Sequence, residues 1–194
     1  FPVSAIGWTA SMTQRAAASQ KRINEFLLTE PAIQDAATPK AIKLRGNIGF
    51  NNVSYTYTHT GIKAVRDFSL QIRAGEKIAV VGRTGSGKTT IAQLLLRMFE
   101  AQEGTITYEE IPIQDISLHS LRSQVSFVPQ DVFLFSDSIK NNIRFGNDTA
   151  SDNEVFEAAK QAGIYNDIES FEQKFETMVG ERGVTLSGGQ KQRI

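Results

Sequence analysis

Cysteine is absent from the chain. No disulfide and no thiolate zinc site can form, which suits a reducing compartment. Histidine is scarce: His59 and His119 are the only two. Neither stands near a ligand set or a proton-transfer partner, so both read as solvated loop and helix residues. Charge of either sign is not in excess. Balanced at 21 basic and 21 acidic residues, the chain carries no electrostatic footprint for nucleic acid. Phe1–Ala10 is apolar but far short of the ~20 residues needed to cross a bilayer. There is no initiator methionine, no signal peptide, no internal repeat and no low-complexity tract. A chain running from Phe1-Pro2-Val3 to Arg193-Ile194 is expected to be a piece of something longer. Its 194 residues suffice for one substantial core or two small subdomains.

What is present is Gly82-Arg83-Thr84-Gly85-Ser86-Gly87-Lys88-Thr89, of the form G-x-x-x-x-G-K-[ST]. A triphosphate offers many acceptor oxygens, and a chain holds it when successive backbone N–H groups converge on it. That turn needs glycine where a Cβ would clash or φ is positive, and Gly82, Gly85 and Gly87 meet the need. Thr84 and Ser86 lie between them. A helix starting near Gly87 adds free N–H groups and a positive dipole end. Lys88 brings a full charge to the β- and γ-phosphates, the Thr89 hydroxyl can ligate Mg²⁺, and Thr90 adds a hydroxyl near the α-phosphate. Ile78-Ala79-Val80-Val81 before the loop reads as a buried parallel strand. Ile91, Leu94, Leu95 and Met98 after it give one buried helical face.

Further segments carry open alternatives when read from the residues alone. Tyr57 is either an ordinary strand aromatic or a base-stacking platform whose ring face does the work, with Tyr55 as the other candidate. Gln130 is a polar loop residue after the apolar run Val125–Val128. Ser187-Gly188-Gly189-Gln190 is either a flexible turn or a place where backbone and hydroxyl approach a phosphate.

Taken together, in this order, these segments resemble the nucleotide-binding domains of ATP-binding cassette (ABC) transporters of the exporter type. Val128-Pro129-Gln130-Asp131 resembles the family's Q-loop. Leu134–Ile139 with Asn141-Asn142-Ile143 resembles the stretch that follows it. Gly180-Glu181-Arg182-Gly183 resembles the X-loop, and Leu186–Gln190 the signature. The resemblance covers about residues 44–194. It implies ATP and Mg²⁺ as cofactors. Tyr57 is placed under the adenine, and Gln130 on Mg²⁺ as a sensor of the γ-phosphate. Ser187, Gly188, Gly189 and Gln190 are placed on ATP held by an opposite subunit. It implies a second nucleotide-binding domain, the same or different, as partner, together with the transporter's own transmembrane domain, and a place at the cytoplasmic face of a membrane. No nucleic acid is implied. The family's Mg²⁺-binding Asp, catalytic Glu and switch His follow the signature, so these residues alone are expected to bind ATP without turning it over. Alternatives are a soluble ABC-type ATPase not linked to transport, a small nucleoside kinase, and a pure nucleotide sensor.

The expected fold is α/β: a P-loop NTPase core, an antiparallel β subdomain and a helical subdomain. Residues 1–30 read as the end of a last transmembrane helix and its extension, with a helix over Ser11–Leu28 stopped by Glu30-Pro31. Residues 31–43 read as a polar linker, and 44–194 as a partial nucleotide-binding domain, helical from about 135. Phe68, Leu70 and Ile72 alternate as a half-buried strand, joined by Ile48–Tyr57 and Thr105–Tyr108. Glu109-Glu110 stand where the family turn has glycine, which leaves that turn's shape open. Leu118–Arg122 reads as a short helix. Ser151–Glu154 is a capping box, Val155, Ala158, Ala159 and Ala162 its helix's buried stripe, and Gly163 its C′ residue. In the family the strands beside Ile78–Val81 and Val125–Val128 come after Ile194. The signature helix is also too short to hold itself, so the expectation is either a gap in the parallel sheet filled by another copy of the chain or by its own N-terminal segment, or else a disordered signature region.

Overall fold

A computed structural model describes residues 2–180 and 186–194. The chain forms two compact units, 1–125 and 126–194.

The first unit opens with helix α1, Pro2–Leu27, one unbroken helix with no buried residue. No described helix is long and apolar enough to cross a membrane. The segment after α1 is strapped along the unit by polar contacts. Asp35 Oδ1 accepts from Leu118 N at 2.7 Å, and Lys40 pairs with Ile116 in a β-bridge. Ser120 Oγ and Gln124 Oε1 then accept from the Ile42 and Leu44 N–H groups.

An antiparallel sheet follows, with strand order β2-β1-β3-β4. Its members are β1 Ile48–Tyr57, β2 Ile62–Ile72, β3 Glu103–Tyr108 and β4 Ile111–Pro112. Phe68, Leu70 and Ile72 are half-buried as their alternation predicts. The register of β1 against β2 shifts after Phe50. There Asn52 and Asp67 both take positive φ, and the Asn52 amide donates to the Asp67 carboxylate at 2.7 Å. The core gathers Phe50, Val53, Tyr55, Val65, Ile106 and Tyr108 under helix α2, Lys88–Leu95, through Leu94.

The predicted buried face of α2 is shorter than its periodicity suggests. Leu94 is buried and Ile91 and Leu95 are half-buried, but Met98 is exposed. The helix stops because Arg97 turns to φ 50°. Its guanidinium then reaches Glu100 at 2.7 Å and Gln34 O at 2.9 Å. The free carbonyls at the helix end are taken by Tyr108 Oη on Leu95 and by Arg122 on Leu96 and Arg97. Arg122 closes α3, Leu118–Arg122, the short helix predicted there.

The β3–β4 turn also resolves. Tyr108 pairs with Ile111, so Glu109-Glu110 is a two-residue hairpin loop. Both residues have positive φ, 50° and 67°, the demand of a type I′ turn.

Two predicted strands are not present. Ile78–Val81 and Val125–Val128 have no regular structure, and Val81 is 92% exposed. A strand exists only through its neighbours. Among the described residues nothing pairs with either segment, so their backbone groups face water.

The second unit is helical: α4 Ile139–Arg144, α5 Asp152–Gln161, α6 Tyr165–Glu169 and α7 Gly188–Arg193. Ile139, Val155, Ala159, Ile164, Ile168 and Leu186 are part of its core. The predicted capping box on α5 is formed by Ser151 and Glu154, and Gly163 has φ 68°. Of the predicted stripe on α5, Val155 and Ala159 are buried while Ala158 and Ala162 are exposed. The Asn142 side chain, buried, ties Phe135 N and O to α4 at 2.8 and 3.1 Å.

Candidate functional site

In the first unit the Gly82–Thr89 turn has the backbone its spacing demands. Gly87 lies at φ 86°, and a Cβ there would stand 2.3 Å from Ala64 O on β2. Glycine is required twice over, by conformation and by contact with the sheet. Lys88 opens α2 and folds back over the turn. Its Nζ donates to Gly82 O at 2.8 Å and Arg83 O at 2.7 Å. These partners are neutral carbonyls, so a full positive charge stays at the mouth of the loop. That donor set fits a phosphate: backbone N–H groups, one cation and hydroxyls. Thr84, Ser86 and Thr89 are exposed, whereas Thr90 is buried.

The two tyrosines of β1 separate by burial. Tyr55 is 7% exposed and lies tilted on Phe99, ring centroids 5.3 Å apart. It belongs to the core, and burial raises its phenol pKa. Tyr57 is half-buried. Its ring stands nearly perpendicular to those of Tyr55 and Phe99, at 5.0 and 5.5 Å, and 68° to that of His59 at 5.8 Å. Of the two, Tyr57 is the one with surface to offer a base. His59 is exposed, as predicted, but its ring packs on this platform rather than standing free.

The structure joins Tyr57 to the phosphate-loop helix. Tyr57 Oη is 3.0 Å from Thr90 Oγ1 and donates to Gln93 Oε1 at 3.4 Å. Gln93 was not singled out from the sequence. The signal was there: Thr90 and Gln93 lie three apart, on one face of a helix.

In the second unit Gln130 is exposed in the irregular stretch before α4. A cavity of about 270 Å³ is lined by Gln130, Asp131, Val132, Gly188, Lys191 and Gln192. The signature forms a second capping box, which the sequence reading did not identify. Ser187 Oγ accepts from Gln190 N at 3.2 Å, and Gln190 Oε1 accepts from Ser187 N at 3.0 Å. Contrary to the expectation that the signature helix could not hold itself, α7 is formed, because this box and Leu186 in the core hold it where an isolated helix of that length would not persist. Ser187 spends an acceptor on the cap and keeps its hydroxyl proton as a donor. Gln190 spends its side chain on the cap and on Asp167. A Cβ at Gly188 or Gly189 would meet nothing within 4 Å. The described chain itself therefore does not demand glycine at either position. Of the X-loop segment, Glu181, Arg182 and Gly183 lie outside the described residues. Among the described residues no group of His, Asp and Glu could hold a metal ion by itself.

Comparison with known proteins gives one consistent family. The family described as "ABC transporter" matches residues 65–194. The chain is 44% identical over 194 residues to the probable multidrug resistance ABC transporter ATP-binding/permease protein YheI of Bacillus subtilis (strain 168), covering all of this chain and 33% of that protein. It is 41% identical over 196 residues to heavy metal tolerance factor 1 of Caenorhabditis elegans, covering all of this chain and 24% of that protein. A solved structure of a bacterial Atm1-family ABC exporter with ATP bound matches with a TM-score of 0.90 and 35% identity, over 99% of this chain and 34% of that one. The chain thus spans about a third or less of the length of these relatives.

Proposed function

The chain belongs to the ABC transporter family, and from that premise we propose that it is the ATP-binding part of an exporter that couples ATP binding and hydrolysis to transport across a membrane. The observation that supports this most is the Gly82–Thr89 turn, with Gly87 pressed on β2 and Lys88 Nζ gathered over the loop. Lys88 and the loop N–H groups hold the β- and γ-phosphates. Thr89, exposed at the start of α2, would hold Mg²⁺. Tyr57 carries the adenine. When bound, Mg²⁺ neutralises charge on the phosphates.

Ser187, Gly188 and Gly189 serve a nucleotide held by a second nucleotide-binding domain. The donor proton left on Ser187 and the unneeded glycine pair support that role, because both favour close approach from outside the chain. Gln190 serves the same surface from behind, by shaping the cap. The partners are thus that second domain and a transmembrane domain, and the working place is the cytoplasmic face of a membrane.

The 194 residues, tested alone, bind Mg·ATP without steady-state turnover. Equilibrium dialysis and phosphate release measured on one preparation test this. Saturable binding with release at buffer level is expected. Failure to bind contradicts the nucleotide reading. Release that scales with protein and vanishes in Lys88→Ala contradicts the absence of turnover.

A further inference from the structure

Tyr57 is held by more than its place in β1. Its phenol has one proton and two oxygens of α2 within reach, Thr90 Oγ1 at 3.0 Å and Gln93 Oε1 at 3.4 Å. The Gln93 oxygen can only accept, so when Tyr57 donates to it the Thr90 hydroxyl must donate to Tyr57. Thr90 is 4% exposed, which makes this a sheltered contact. The strand side is fixed as well. The amide of Gln102 clamps the preceding residue from both sides, taking Thr56 N at 2.6 Å and donating to Thr56 O at 2.8 Å. The ring is therefore located by β1, by three neighbouring rings and by the helix that starts at Lys88.

We infer that Gln93, together with the Tyr57 hydroxyl, is a positioning element for the base: it locks the aromatic platform to the phosphate-loop helix, so that base and phosphates are bound at a fixed separation. The inference rests on the nucleotide reading above and goes beyond it. Ordinarily a stacking aromatic contributes through its ring face, and the hydroxyl is dispensable. Here the hydroxyl sets where that face stands. A platform freed from α2 must be ordered again by each ligand, and that ordering is subtracted from the binding free energy. Phosphate contacts are untouched, because Gln93 lies more than one helical turn beyond Lys88, on the platform side.

The test compares Mg·ATP with inorganic tripolyphosphate, a ligand with no base, on the full 194-residue chain. Isothermal titration is run on wild type, Tyr57→Phe, Gln93→Leu and the double variant. Each single change is expected to weaken ATP about 3- to 10-fold, the range of one net hydrogen bond. Tripolyphosphate affinity is expected to stay at wild type. The double variant is expected to lose less than the product of the two single losses, because both remove one shared bond. Wild-type ATP affinity in Tyr57→Phe or in Gln93→Leu overturns the inference and leaves the nucleotide reading intact. Equal losses for ATP and tripolyphosphate also overturn it, by showing a general disturbance of α2. A wild-type chain that binds neither ligand removes both readings together.

Discussion

The Asn47 side-chain amide donates to Glu109 Oε2 at 2.7 Å, while Glu109 Oε1 takes the N–H groups of Arg45, Gly46 and Asn47. One carboxylate at the tip of a hairpin thus collects the chain that enters β1. This explains how Glu109 occupies the first position of a type I′ turn, where positive φ costs an ordinary residue about 1–2 kcal/mol. Glu109 offsets the strain with bonds that reach more than sixty residues back.

The same bonds make a pH prediction. The Asn47 amide first, then the three backbone donors, pull the Glu109 pKa down to about 2. A carboxylate lowered in the folded state contributes stability that is fully present above its unfolded value, about 4.3. That contribution is lost as pH falls toward about 2. Urea midpoints of wild type and Glu109→Gln should therefore differ at pH 7 and converge between about pH 4.3 and 2. A difference that does not change with pH would show that the Glu109 carboxylate does not carry these bonds.

Two glycines separate structural need from functional need. Gly87→Ala sets a Cβ 2.3 Å from Ala64 O at φ 86°. It is expected to cost at least 1–2 kcal/mol of stability, by the left-handed backbone term alone, and to abolish nucleotide binding. Gly188→Ala meets nothing within 4 Å and lies at a helix start. It is expected to leave stability unchanged or raise it by up to ~1 kcal/mol. Thermal unfolding of both variants decides. A Gly188→Ala chain as damaged as Gly87→Ala would show that the signature glycines serve this chain's own fold.

Tyr55 and Tyr57 are expected to fail in different ways. Tyr55→Ala empties a core position and should destabilise the fold by about 3–5 kcal/mol. Tyr57→Ala should leave the fold largely intact and remove about 1–3 kcal/mol of nucleotide affinity. Denaturant unfolding and ATP titration on both variants check this. A larger affinity loss in a still-folded Tyr55→Ala would assign the base to the other ring.

How much of this was legible beforehand follows from the range of each interaction. The phosphate loop was, because its demands are met within eight consecutive residues, Gly82 to Thr89. The capping box at Ser151 was legible for the same reason. Its twin at Ser187 has the same spacing, with Gln190 in the place of the glutamate. Ile78–Val81 was misread as a strand because apolar character measures fitness for a sheet, not the presence of a partner. Met98 was misread because periodicity cannot see Arg97 leave the helix for Glu100 and Gln34. The Glu109 turn and the Gln93–Tyr57 contact were illegible, since each joins residues brought together only by the fold.

In the proposed site Lys88 meets phosphate and nothing else of the nucleotide. Isothermal titration of wild type and Lys88→Ala with Mg·ATP and with adenosine tests it most directly. The variant is expected to stay folded, to lose Mg·ATP affinity by about tenfold or more, the scale of one charged hydrogen bond, and to keep whatever affinity adenosine has. A folded Lys88→Ala chain that binds Mg·ATP as tightly as wild type would contradict it.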